Sequence, residues 1–226
     1  LVPEAVPLTA MSYREACELA YFGAKVIHPQ TMTPAIARGL PILMRNTFRP
    51  EFAGTRIDAV GDRNPAGPVK GLTLGGDLAL VCLEGAGLIG VPGTAERVFA
   101  ALHAAHISVV MISQGSSEHS ICCVVHQREA DAARDALQDA FTRELAGAQV
   151  QGVTLQTGIS VLAAVGDGMA GTPGVAARMF DALARARVNI RAIAQGASER
   201  NISVAIDSAD AARALRAVHA AFWLSP

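Results

Sequence analysis

The sequence predicts an α+β fold in which one β-α-β-β-α unit is used twice. Three observations predict it. The phrase Ile112-Ser113-Gln114-Gly115-Ser116-Ser117-Glu118-His119-Ser120-Ile121 returns as Ile193-Ala194-Gln195-Gly196-Ala197-Ser198-Glu199-Arg200-Asn201-Ile202. Gln114 and Gln195, Pro92 and Pro173, Phe99 and Phe180, and Phe141 and Phe222 all share a separation of 81 positions without gaps. A fixed period of this kind marks one supersecondary unit repeated. Between these landmarks, short β-branched runs alternate with stretches of helical periodicity.

In the first copy, Leu78–Glu84 is a strand by its short apolar run, and Gly85–Pro92 is a glycine-rich turn. Gly93–His106 reads as a helix, with Ala95, Val98, Phe99 and Leu102 at helical spacing. Ile107–Ile112 is a β-branched strand, followed by the Gln-Gly-Ser-Ser-Glu turn and a strand over His119–His126. Arg128–Phe141 is an amphipathic helix with Ala133, Ala136, Leu137 and Ala140 on one side. The second copy predicts strand Ile159–Val165, helix Gly174–Arg187, strands Val188–Ala194 and Arg200–Ile206, and helix Ser208–Phe222.

Each copy lacks a closing strand. Val150–Leu155 follows the first copy and supplies its fourth strand; nothing comparable follows the second. Val69–Leu74 matches 150–155 at the same offset, so the segment before the first copy is predicted to close the sheet of the second. An unpaired edge would invite aggregation, which favours this closure. The units are then ferredoxin-like β-α-β-β-α-β folds, each a four-stranded antiparallel sheet with two helices on one face. Residues 59–68 are rich in turn residues and read as a linker, leaving 1–58 as a segment of different texture. The predicted domains are 76–156 for the first unit and 69–75 plus 157–226 for the second.

Composition bounds the rest. Apolar residues make up 51% and aromatics 4%, so Ala, Val, Ile and Leu must fill the core. A net charge of -1 offers no electrostatic footprint for nucleic acid or an anionic membrane. No apolar run approaches the roughly 18 residues of a spanning helix. The start Leu1-Val2-Pro3-Glu4 has neither an initiator Met nor the features of a signal peptide, and the chain reads as a piece of a longer protein. Cys17, Cys82, Cys122 and Cys123 have no metal-ligand spacing and read as buried free thiols of a reducing compartment.

The tandem units, with a glycine turn before the first helix and a Gln-Gly-x-Ser-Glu phrase after the second strand, resemble the paired ACT regulatory domains of aspartokinases. Segment 1–58 carries the resemblance independently. Met11–Ala16, the string Ala20-Tyr21-Phe22-Gly23-Ala24-Lys25-Val26-Ile27-His28-Pro29, Arg45-Asn46-Thr47 and Gly54-Thr55 resemble the C-terminal end of the amino-acid-kinase α/β catalytic domain of that family. The two glutamine phrases most resemble the aspartokinase half of bifunctional aspartokinase–homoserine dehydrogenases, and Val218–Phe222 is where such a chain would lead toward its dehydrogenase domain.

The resemblance implies sites. Gln114 and Gln195 are expected to contact an effector, since a primary amide offers two donors and two acceptor lone pairs without net charge. The family's effector pocket, between the glycine turn and strand two of a neighbouring unit, projects onto Leu88, Val91, Gly93, Thr94, Ala95, Ser108, Val109 and Val110. In the second copy it projects onto Met169, Thr172, Gly174, Val175, Asn189 and Ile190. Free N–H groups at a helix start suit a carboxylate. Lysine-binding relatives tend to carry an acid where Val110 stands, so an uncharged effector, threonine rather than lysine, is expected.

Lys25 and Val26 are expected to contact ATP in the complete kinase, where the lysine neutralises phosphate charge. The resemblance implies ATP and Mg2+ for the parent enzyme. It implies no cofactor, metal or catalytic residue in this fragment, a cytoplasmic homodimer through the ACT domains, and no nucleic-acid or membrane partner. Glu118 and Glu199 read as turn or interface residues rather than general bases. Ser116-Ser117 with His119 is not a triad, having neither an orienting acid nor an oxyanion feature.

Overall fold

A computed structural model describes residues 1–21, 27–62, 66–115 and 119–223. The N-terminal segment forms its own small layer. Strand β1 (Ala10–Ser12) leads into helix α1 (Tyr13–Tyr21), and helix α2 (Pro29–Ala37) precedes strands β2 (Ile42–Met44) and β3 (Thr55–Asp58). The sheet order is β1-β3-β2, parallel on one side of β3 and antiparallel on the other. Tyr13, Ala16, Met32 and Ile57 form its buried centre.

The repeat builds a six-stranded sheet of order β5-β6-β4-β7-β9-β8. Its strands are β4 (Gly71–Glu84), β5 (Val109–Gln114), β6 (Ser120–His126), β7 (Gly152–Val165), β8 (Ile190–Gln195) and β9 (Asn201–Asp207). The helices are α3 (Thr94–Ala104), α4 (Ala130–Ala140), α5 (Thr142–Ala146), α6 (Val175–Arg185) and α7 (Ala211–Trp223). These are two ferredoxin-like α+β units in tandem, as expected, but the strands that close them are not separate pieces. β4 and β7 are each 14 residues long and pair antiparallel with one another.

Each long strand serves both units. Gly71–Gly75 pair with Val161–Val165, while Leu80–Glu84 pair with Gly152–Gln156, with register shifts between the two stretches. Leu72 and Leu74 accordingly pack on the core under α6 and α7, and Val153 and Leu155 on the core under α3 and α4. At the register shift Asp77 and Gly158, which occupy matching repeat positions, both adopt left-handed backbone, with φ of 56° and 69°. Gly76 and Asp77, between the predicted strands Val69–Leu74 and Leu78–Glu84, fall at this shift, and the two stretches run together as one irregular strand.

Alternation along the strands decides which face each side chain meets. Ala79, Val81 and Leu83 of β4 face the helices of the first unit, and Leu162 and Ala164 of β7 those of the second. Leu78, Leu80 and Cys82, together with Ile159, Val161 and Ala163, point the other way into a shared layer with Met111, Val124, Ala192 and Ala205. The two helix-free faces therefore bury one another. The sheet curls until its edge strands meet, and Ser113 Oγ on β5 donates to the Ile193 carbonyl on β8 at 2.9 Å. Burial on both faces explains why these strands read as continuous apolar runs.

One expectation fails here. Cys17 and Cys123 are free, but Cys82 and Cys122 form a disulfide. The register sets them directly opposite on β4 and β6, with Cα atoms 4.1 Å apart. Spacing along the sequence could not show this cross-strand register.

Candidate functional site

The two glycine turns build matching cavities. The first, of about 210 Å³, is lined by Gly90, Val91, Pro92, Gly93, Thr94, Ala95, Gln114 and Ile121. The second, of about 360 Å³, is lined by Gly171, Thr172, Pro173, Gly174, Val175, Ala176, Met169, Gln195, Glu199 and Ile202. Each lies inside one unit, between the turn that starts the first helix and the far end of the strand-two hairpin.

Backbone conformation shapes both floors. Gly93 and Gly174 precede α3 and α6 with φ of 85° and 89°, a region that only glycine enters without strain. Neither helix start has a side-chain cap, which leaves first-turn N–H groups available to an anion. The turns are braced from within: Thr94 Oγ1 donates to the Val91 carbonyl at 3.0 Å, and Thr172 Oγ1 to the Gly168 carbonyl at 2.7 Å. In the second unit Gly171 N–H donates to Glu199 Oε2 at 2.6 Å. Glu199 thus fastens the turn, the role expected of it over general-base chemistry.

Gln114 and Gln195 sit opposite Ile121 and Ile202 in their hairpins. Both are the last residues of their strands rather than the first residues after them. Both are exposed, and no hydrogen bond among the described residues occupies either side-chain amide.

The expected site residues separate into two groups. Val91, Gly93, Thr94, Ala95 and Gln114 converge in the first cavity, and Met169, Thr172, Gly174, Val175 and Gln195 in the second. Within one chain the others do not join them. Leu88 is buried in the core of the first unit. Ser108 and Val110 line a different cavity, of about 760 Å³, with Tyr21, Gly75–Leu78 and His126–Arg128. Val109 packs on the first unit's core and its carbonyl accepts from Tyr21 OH at 3.3 Å. Asn189 is exposed, and Ile190 packs on the core of the second unit.

Strand geometry explains the split: at about 3.3 Å per residue, Ser108, just before β5, and Gln114, its last residue, lie roughly 20 Å apart. Pro92, Pro173, Ile121 and Ile202 were missed as lining residues. The shared period already marked the prolines, and the hairpin register across from the glutamines would have found the isoleucines.

The second turn is also tied to the N-terminal segment. Buried Glu15 on α1 accepts Ser12 N–H at 2.8 Å through Oε2 and Asp167 N–H at 2.9 Å through Oε1. Asp167 in turn pairs with Arg200 at 2.8 Å, and Asn201 Nδ2 donates to Glu18 Oε2 at 2.7 Å. The first turn leans instead on the α5–β7 connection, with Gly87 N–H donating to the Gln149 carbonyl at 2.9 Å. The expected nucleotide contacts Lys25 and Val26, and Glu118, lie outside the described residues. Among the described residues no group of three or more His, Cys, Asp or Glu could hold a metal, and no helix is long and apolar enough to cross a membrane.

Two ferredoxin-like units, each with a turn-and-glutamine cavity, define a tandem ACT module. The ACT domain family model matches residues 81–141 and 162–222. The chain is 48% identical to the bifunctional aspartokinase/homoserine dehydrogenase 1 of Arabidopsis thaliana, a chloroplastic protein, over 99% of this chain and 25% of that one. Among solved structures it resembles the aspartate kinase of Clostridium acetobutylicum, with a TM-score of 0.87 and 27% identity over 98% of this chain and 50% of that one. The regulatory subunit of aspartate kinase from Thermus thermophilus superposes with a TM-score of 0.59 and 36% identity, over 69% of this chain and 99% of the subunit. The chain belongs to the aspartokinase family, as its tandem-ACT regulatory region. It spans about a quarter of the length of the bifunctional relatives it matches.

Proposed function

We propose that this region binds threonine in the two turn-and-glutamine cavities and so relays feedback inhibition to the aspartokinase that carries it. The observation that carries the reading is the pairing, in each cavity, of an unengaged primary amide with an uncapped helix start. The helix start suits the α-carboxylate, and the amide suits a hydroxyl or ammonium. Among its described residues the first cavity has no ionised side chain, which favours a short uncharged effector over lysine.

The parent reaction in this reading is the transfer of phosphate from ATP, with Mg2+, to the β-carboxylate of L-aspartate. Lys25 and Val26 belong to the nucleotide site, and residues 1–58 are the end of the catalytic domain. Residues 59–68 are the linker, 76–156 the first ACT domain, and 69–75 with 157–226 the second. The fragment itself turns nothing over. It acts as a cytoplasmic homodimer whose effector shifts the kinase by binding its two states with different affinity.

Isothermal titration of the fragment with threonine, lysine and methionine tests this. Threonine is expected to bind and lysine is not; the reverse order would establish a lysine sensor. No binding by any of the three, and no thermal shift with any amino acid, would leave a structural dimerisation module, because a ligand of the native state must raise its stability by mass action.

A further inference from the structure

The repeat supplies its own control for one feature. Cys82 and Cys122 are bonded across β4 and β6 in the first unit. The matching positions of the second unit are Ala163 and Ser203, paired in the same way across β7 and β9. The same fold thus closes once with a disulfide and once without. The bond is an addition to the first unit and not a requirement of the architecture.

Its position connects it to the rest of the molecule. Cys122 is flanked in the sheet by Cys82 on one side and Ser113 on the other. This row runs across β4, β6 and β5 on the helix-free face, where Cys82 is buried in the layer shared with the second unit. At its end Ser113 Oγ makes the hydrogen bond to Ile193 on β8. One residue on, Gln114 reaches the first cavity. The other buried thiol does not compete for either sulfur: Cys123 points to the helix side, and burial pushes its pKa up to about 11, so it stays a thiol.

We propose that Cys82 and Cys122 form a reversible redox switch that stiffens the first unit against the second when oxidised and loosens it when reduced. The reductant is a small or protein dithiol able to cyclise. Its thiolate attacks Cys122 Sγ, the more exposed partner, and Cys82 leaves as a thiolate that takes up a proton. The reductant's second thiol then attacks the mixed disulfide, frees Cys122 as a thiol and closes the reductant's own disulfide. Two electrons and two protons pass to the protein, and a cyclic disulfide oxidant runs the sequence backward. Both thiols suit the reduced state, because unpaired cysteine packs as a small apolar side chain. Disulfides inside cells are characteristically transient and redox-sensing, in keeping with a bond that opens. The switch goes beyond the effector reading and holds whichever ligand fills the cavities.

The test needs no effector. The purified native chain is equilibrated in buffers of reduced and oxidised dithiothreitol, and free thiols are alkylated and located by peptide mass spectrometry. Cys82 and Cys122 are expected to become labelled together on reduction and to be protected together on reoxidation. A bond that opens only after denaturant is added, or thiols that never pair under oxidant, would overturn the proposal.

The double variant Cys82→Ala/Cys122→Ser reproduces the pair of the second unit and is expected to fold. Amide exchange along β5 should quicken on reduction of the wild-type chain and ignore reductant in the variant. Exchange that does not respond in the wild type would show a bond without mechanical effect and sink the switch.

Discussion

Glu15 Oε1 accepts the backbone N–H of Asp167 at 2.9 Å across 152 positions of sequence. The same carboxylate caps its own helix through Ser12, so one buried side chain holds α1 and the second glycine turn together. Glu18 and Asn201 repeat the tie one turn along.

Glu15→Ala should therefore loosen the N-terminal segment from the repeats. It leaves two backbone N–H groups without their charged acceptor, a loss of about 3–6 kcal/mol for the pair. Glu15→Gln keeps one acceptor oxygen and should lose about half as much. Urea denaturation of both variants measures this; equal stability of Glu15→Ala and wild type would refute the tie.

Gln114→Ala and Gln195→Ala should each remove one class of binding event from a threonine titration and leave the other. The two losses should differ in size, because the second turn is bonded to α1 and the first is not. A single substitution that abolishes both events would mean one shared site.

Gly166→Ala should destabilise strongly, since an added Cβ would come within 2.8 Å of Lys70 N and 3.0 Å of Val69 Cα, and closer still to the Pro68 carbonyl. Backbone there cannot step aside, and overpacking of this kind costs about 1–3 kcal/mol. Gly152→Ala meets open space and should be neutral or stabilise by up to about 1 kcal/mol through the unfolded chain. Thermal melting of the two variants side by side decides it, and similar melts would contradict the close approach.

The Arg97–Glu144 pair should contribute on the acid limb of the stability profile. Arg97 donates to both Glu144 oxygens, at 2.6 and 3.2 Å, and holds that carboxyl below the usual glutamate range. A folded-state pKa below the unfolded one means the contribution is in place above the ordinary carboxylate pKa and disappears as pH falls through the depressed value. In Glu144→Gln that part of the acid dependence should be missing. Denaturation midpoints at a series of pH values read the difference, and parallel curves would argue against it.

The repeat made most of this architecture legible. Helices such as α6 could be read because Val175, Met179, Ala182 and Leu183 keep helical spacing on one buried face. The glutamines could be read because their phrase occurs twice. The rest lay beyond local pattern. Strands β1, β2 and β3 have three or four residues each, too few for a period, and β1 finds its partner β3 more than forty positions away. Helix α5, five residues long, is anchored by the Arg97–Glu144 contact and not by its own sequence. The fusion of two predicted strands into β4 passes through an irregularity at Gly76-Asp77, and pairing with β7 on either side, from Gly71–Gly75 and from Leu78 onward, holds the two stretches in one strand. The Cys82–Cys122 bond depended on register, and a shift of one residue would have turned the cysteines to opposite faces.

The exchange of closing strands has a consequence for how the molecule comes into being. As the chain is made, Gly71–Gly75 finds its permanent neighbour, Val161–Val165, only after some ninety further residues have followed. The first unit in turn must wait for Gly152–Gln156. Neither half can finish before the other has begun, so a truncation between them would leave a bare strand edge on the first half. The two units share the long β4–β7 ladder at their centre, and the pair should melt as a single object.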